Sequence, residues 1–176
     1  MKLKNLIDYD VVNYKLPAMF LIFPYCTFKC DKECGEPVCQ NSALAREPII
    51  EIDTEEIVRR YLANPLTHAV VCGGLEPFDS GEDLNDFIEL FRVFSKDPII
   101  IYTGYKEEEI NSFYMKILEN YGNIVVKFGR FIPNSPHIFD TVLGVELASN
   151  NQYAKYIGVD NNEYLGTNGY EDNAEE

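Results

Sequence analysis

The chain has 176 residues, with 15 Lys and Arg against 29 Asp and Glu, for a formal net charge of −14. That length suits one domain, which buries roughly 70% of its unfolded surface and needs no disulfide to hold a core. The acidic balance argues against nucleic acid as a partner, because phosphate binding rests on clustered Lys and Arg.

Residues 1–10 carry lysines but no apolar stretch with a small-residue cleavage site, so the chain is read as cytoplasmic. Residues 18–23 form the longest apolar run, too short to span a bilayer, and predict a buried strand rather than a membrane partner. Four of the five cysteines follow at once: Cys26, Cys30, Cys34 and Cys39. Asp53 then opens a helix, with Glu56 as the second half of a capping box and Ile57, Val58, Tyr61 and Leu62 as its apolar face. Residues 68–72 predict a second strand, ended by Gly73-Gly74. Residues 80–94 predict a helix with Leu84, Phe87, Ile88 and Phe91 on one stripe. Residues 98–102 are a third strand, ended by Thr103-Gly104-Tyr105. A helix over 106–120 carries Ile110, Phe113, Tyr114, Ile117 and Leu118 on one face. Residues 123–128 are a fourth strand, ended by Gly129-Arg130-Phe131, and 153–159 a short fifth. One domain over 1–159 is expected, followed by an acidic, disordered tail over 160–176.

Alternating strands and helices predict a mostly parallel sheet. Four or five strands are too few for a closed eight-stranded barrel, so the choice lies between a small partial (β/α) barrel and an open α/β sheet. Either form places ligands beyond the C-terminal strand ends. The cysteine loop and the three glycine-bearing segments all sit at such ends, so four loops should meet on one rim.

The cysteine spacing is Cys-x3-Cys-x3-Cys-x4-Cys. In a reducing compartment such a group binds metal or does redox chemistry. Four thiolates could close a structural zinc site; three on a four-iron cluster would leave one iron open. Spacing alone leaves both open. Plainer readings stand beside these. Cys72 reads as a small buried hydrophobe. His68 and His137 read as structural or surface residues. Gly73-Gly74, taken alone, is a strand-to-loop turn, and Asn151-Gln152 a polar turn.

Cys26-Thr27-Phe28-Lys29-Cys30, with Cys39-Gln40-Asn41 further on, resembles the split cluster signature of the radical S-adenosylmethionine (SAM) superfamily. Gly73-Gly74-Leu75-Glu76-Pro77 is similar to its Gly-Gly-Glu-Pro segment, and Thr103-Gly104-Tyr105 to a segment after its third strand. Ala148-Ser149-Asn150-Asn151-Gln152 resembles the Gly-Ser-Ser-Asn-Gln segment of the activating proteins of anaerobic ribonucleoside-triphosphate reductase, and Gly129-Arg130-Phe131 with Asp140 the segment before it. There are two departures. Two residues separate the second and third cysteines in the family; here Cys34 leaves three and Cys39 leaves eight. Cys39 is favoured because Gln40-Asn41 follow it, which makes Cys34 part of a six-residue insertion, free or an alternative ligand. Leu75 is also inserted.

The resemblance implies a small partial barrel of radical SAM type that uses a 4Fe–4S cluster and SAM. It implies Cys26, Cys30 and Cys39 as cluster ligands. It implies Gly73, Gly74, Glu76, Pro77, Thr103, Gly104, Val38, Asn151 and Gln152 around SAM, and no catalytic side chain. The implied partners are the large subunit of an anaerobic ribonucleotide reductase, which is a glycyl radical enzyme, and a flavodoxin- or ferredoxin-type electron donor. The rival readings are a small-molecule radical SAM enzyme, such as a deazapurine synthase, and a non-catalytic α/β module with a zinc loop.

Overall fold

The computed structural model describes residues 1–158, so Val159 and the expected tail lie outside the described residues. The chain opens with β1 (Lys2–Leu3) and β2 (Asn5–Asp10), then β3 (Ala18–Phe23) and α1 (Lys29–Cys34). β4 (Ile50–Glu51), which pairs back on β1, precedes α2 (Thr54–Ala63) and β5 (Val70–Gly74). α3 (Gly81–Phe94), β6 (Ile99–Tyr102), α4 (Ser112–Tyr121) and β7 (Ile124–Phe128) follow. A hairpin of β8 (Ile138–Asp140) and β9 (Val145–Leu147) leads to β10 (Tyr153–Ile157).

The main sheet has six strands in the order β10-β7-β6-β5-β3-β2. Its four central strands are parallel, and each is the neighbour of the one before it in sequence. Both edges are antiparallel: β2 runs against β3 and β10 against β7. The architecture is therefore α/β with a mixed, largely parallel sheet. β10 needs no crossover helix, because an antiparallel neighbour can be reached by a plain return.

The four apolar runs become central strands because both of their faces are covered. Met19, Leu21, Val70, Cys72, Ile99, Ile101, Ile124 and Val126 point to one side, under α2, α3 and α4. Leu84, Phe87, Ile88 and Phe91 on α3 are fully buried there, as their spacing predicts. Each such side chain contributes about 1.5–3 kcal/mol by leaving water. Val71, Ile100 and Val125 point the other way, against Tyr14, Leu143 and Leu147. Asp140 pins that second layer: its carboxylate accepts from the amides of Val142, Leu143 and Ala154.

Two helices differ in detail from expectation. Asp53 caps α2 by accepting from the Glu55 amide at 3.0 Å, but Glu56 turns to Arg59 instead of back to the cap. Leu62 falls off the apolar face and is exposed. The helix expected over 106–120 is broken. A 3-10 turn covers Glu107–Glu109, Ile110 is extended, and Asn111 caps a new helix by accepting from the Phe113 amide at 2.8 Å. Glu109 sets the break: its carboxylate accepts from the Lys106 amide and from Arg130, which closes the turn locally. Phe113 is left exposed.

Candidate functional site

The loops after β3, β5, β6 and β7 meet at one rim. The first two are tied directly, because the Glu76 amide donates to the Tyr25 carbonyl at 2.7 Å. In the first loop, the Phe28 amide donates to Cys26 Sγ at 3.2 Å, and Phe28 takes a left-handed φ of 52°. That turn starts α1 and sets Cys30 on its first coil. The helix ends in Gly35, also left-handed, whose amide donates to the Asp31 carbonyl at 2.9 Å. Asp31 Oδ1 then accepts from the Val38 and Cys39 amides at 2.9 and 2.8 Å. Asn41 Nδ2 donates to the Gly74 carbonyl at 2.7 Å and fastens the end of the loop to β5.

A cavity of about 400 Å³ opens among these loops. Cys26, Cys30, Cys39, Gly74, Glu76, Gly104, Lys127 and Gln152 line it, together with the apolar side chains of Phe20, Tyr102 and Leu147. Cys34 is exposed and stands outside it. A larger and more open hollow of about 770 Å³, between 107–119 and β10, holds none of the expected site residues.

Glu76 is the electrostatic centre. It is buried at 3% exposure and accepts from Thr103 Oγ1 and the Gly104 amide at 2.8 Å each, and from the Phe78 amide at 3.2 Å. Burial raises its pKa to about 7, against the pull of those donors. Thr103 gives its hydroxyl proton to Glu76 and accepts from the Tyr105 amide at 2.9 Å. It holds Glu76 in place and does not line the cavity. Tyr105 in turn donates to Asp79, whose other oxygen accepts from the Thr27 amide at 2.8 Å. The Lys29 ammonium lies 4.0 Å from the Tyr105 ring centroid. These bonds join the loops after β3, β5 and β6 into one unit.

Lys127 carries no sequence motif and was not among the expected residues. It is 7% exposed, and its ammonium donates to the Gly129 carbonyl at 3.0 Å. Burial lowers its pKa to about 8, with the Glu76 charge pulling the other way. Gln152 Nε2 donates to the same carbonyl at 3.2 Å. Arg130 stands nearby at 4% exposure. Its two terminal nitrogens donate to Glu109 at 2.6 Å each, and its Nε lies 3.3 Å from Glu33.

The remaining expected residues lie beside the cavity. Gly73 is a packing glycine, since a Cβ there would come within 3.1 Å of Phe20 and 3.2 Å of Tyr102. Pro77 is buried at the start of a 3-10 turn. Val38 is half-buried, its amide held by Asp31. Asn151 is exposed and donates to the Arg130 carbonyl at 2.9 Å. Cys72 is fully buried under the helices, and burial pushes its thiol pKa far up.

Burial raises the thiol pKa of Cys26 to about 11 and that of Cys39 above its usual value. Both are protonated at neutral pH, and a metal would displace the protons. Among the described residues, no three His, Cys, Asp or Glu side chains are grouped to grip a single ion. Cys26, Cys30 and Cys39 all line the one cavity, and their thiols are soft donors. Beside them stand a buried carboxylate, a buried ammonium and a carboxamide, a set suited to a small zwitterion. Compared with protein-family models, with curated proteins and with solved structures, the chain has no significant match. Among the described residues, no helix is long and apolar enough to cross a membrane.

Proposed function

We propose that the chain is a radical SAM enzyme of the glycyl-radical-activase type. One observation carries the reading. Cys26, Cys30 and Cys39 share a cavity with Gly74, Glu76, Gly104 and Gln152, while Cys34 lies outside it. Those cysteines supply soft thiolates, the donors that suit iron–sulfur clusters. When bound, a 4Fe–4S cluster with SAM supplies one-electron cleavage of the sulfonium to a 5′-deoxyadenosyl radical.

The protein's side chains bind and orient. Glu76, once ionised, receives the ammonium of SAM; its internal donors take three of about four acceptor positions and leave one. Lys127 meets the carboxylate of SAM. Thr103 holds Glu76, and Gly104 keeps the wall clear beside it. Phe20, Tyr102 and Leu147 supply apolar lining that disfavours water.

The consecutive strand order, with helices packed on one face, is consistent with a small partial (β/α) barrel over the described residues, 1–158. The likeness of Thr103-Gly104-Tyr105 and Asn151-Gln152 to activating proteins favours a protein substrate. That substrate is the large subunit of an anaerobic ribonucleotide reductase, which gives up a glycine hydrogen atom to the 5′-deoxyadenosyl radical, while a flavodoxin- or ferredoxin-type donor in the cytoplasm supplies the electron to the activase's cluster.

Anaerobic reconstitution tests the proposal. A brown protein with about four irons and four sulfides per chain is expected. With reductant it should release 5′-deoxyadenosine from SAM and raise a glycyl-radical signal on the reductase. A Cys39→Ser variant should lose the iron, and a Cys34→Ser variant should keep it. A colourless protein holding about one zinc and no SAM overturns the enzyme reading. SAM cleavage without a protein radical redirects it to a small molecule.

A further inference from the structure

The geometry points to Asp31 as the positioning residue that lets a long loop bring Cys39 to the cavity wall. This rests on the cluster reading and adds to it a residue that the cluster signature does not contain. Eight residues separate Cys30 from Cys39. A flexible span of that length presents its end over a wide volume, and closing it costs entropy.

Asp31 removes that freedom on the near side of Cys39, while Asn41, fastened to the Gly74 carbonyl at 2.7 Å, holds the far side. Asp31 follows Cys30 directly, on the first turn of α1. Its Oδ1 accepts from two successive amides, Val38 and Cys39, at 2.9 and 2.8 Å. Amide bonds to a carboxylate are charge-assisted and stronger than neutral ones. The chain is thus clipped from residue 31 to residues 38–39, across the last turn of α1 and the exposed segment 35–37, with Cys34 exposed. The Gly35 amide adds a second fastener on the Asp31 carbonyl at 2.9 Å. The helix itself is held elsewhere, by Arg130 Nε 3.3 Å from Glu33 and by Lys29 3.4 Å from Glu109. Loss of the Asp31 side chain should therefore loosen Cys39, which keeps only the Asn41 anchor beyond it, and leave Cys26 and Cys30 in place.

The test compares Asp31→Ala and Asp31→Asn in the full chain. The readouts are iron and sulfide per chain at limiting iron, the paramagnetic spectrum of the reduced cluster, and mass-mapped alkylation of each cysteine in the metal-free protein. Asp31→Ala should lower cluster occupancy about tenfold or more. It should speed alkylation of Cys39 several-fold over Cys26 and Cys30. Asp31→Asn keeps an acceptor oxygen and should restore most of both. Unaltered Cys39 alkylation in Asp31→Ala overturns the inference, as does an equal rise in the alkylation of Cys26 and Cys30. A wild-type chain that takes up no iron and sulfide overturns the cluster reading instead; Cys39 alkylation still decides the role of Asp31.

Discussion

Thr103 Oγ1 lies 2.8 Å from Glu76 Oε1, in a fully buried hydrogen bond that joins the segment after β5 to the segment after β6. The same hydroxyl accepts from the Tyr105 amide, so it is spent in both directions. Thr103→Val keeps the shape and removes both bonds. It should cost about 1–3 kcal/mol, the penalty for leaving buried polar groups unsatisfied. Thr103→Ser should cost much less. Urea denaturation of the pair would measure this; equal stability of the valine variant and the wild type would show that Glu76 does not depend on Thr103.

Two glycines of the rim should respond differently. Gly74 has a φ of +87°, and a Cβ there would fall 2.4 Å from Ile22 Cγ2. Gly74→Ala should therefore destabilise the fold by about 1–3 kcal/mol or more. A Cβ on Gly104 would meet Glu76 Oε2 at 3.7 Å and Cys30 Sγ at 3.8 Å, ordinary contact distances. Gly104→Ala should melt within about 0.5 kcal/mol of wild type. Its methyl enters the cavity, so SAM retention should fall. Denaturation curves and equilibrium dialysis of both variants separate the two effects.

Lys127 is a buried cation at the rim of the cavity. Its ammonium is buried against one carbonyl, and burial lowers its pKa to about 8. Lys127→Met keeps the volume and removes the desolvation cost. The metal-free variant should be as stable as wild type or more so by about 1–4 kcal/mol at neutral pH. Under the proposed role of Lys127 at the SAM carboxylate, the variant should also bind SAM at least tenfold more weakly. Thermal denaturation with and without SAM tests both halves; a marked loss of stability would mean that the ammonium is needed by the fold itself.

Glu109 makes the fold acid-sensitive. Two hydrogen bonds from Arg130 hold its pKa at about 2, below the ordinary 4.5, with the Lys106 amide and the Arg130 charge adding and burial opposing. A depressed carboxylate contributes stability that is complete above the unfolded value and is lost as pH falls toward the folded one. The contribution should fade between about pH 4.5 and pH 2. Glu109→Gln should be less stable at pH 7 and should lose less on acidification over that window. Melting temperatures of both proteins from pH 7 to pH 2.5 would show it; parallel curves would refute the role of the pair.

The central strands were legible because each is buried on both faces, which forces continuous apolar runs such as Ala18–Phe23 and Ile99–Tyr102. β2 was not, since an edge strand with most residues exposed has no such run. β8 and β9 span three residues each, too few for a pattern. The direction of β10 is set by the hairpin before it and leaves no trace in its own residues. The break at Ile110 was hidden because the apolar stripe runs through it, while Glu109 is drawn to a partner 21 residues away. At the rim, motif spacing located the loops but not which side chains turn inward: Gln152 lines the cavity and Asn151 does not. Lys127 did have a signal. It is the one cation in Ile-Val-Val-Lys-Phe, two places from Val125 and so on the same face.

The pleat of β7 has a consequence for how the gene can change. Ile124, Val126 and Phe128 face the helices, and Lys127 faces the cavity. Deleting one residue within the strand would exchange those faces, carrying a cation under α4 and an apolar side chain into the cavity. Codon loss should be forbidden there, whereas the exposed segment 35–37 can gain or lose length while the clip around it holds. In a library of single-codon deletions, survivors should gather in that segment and be missing from the parallel strands.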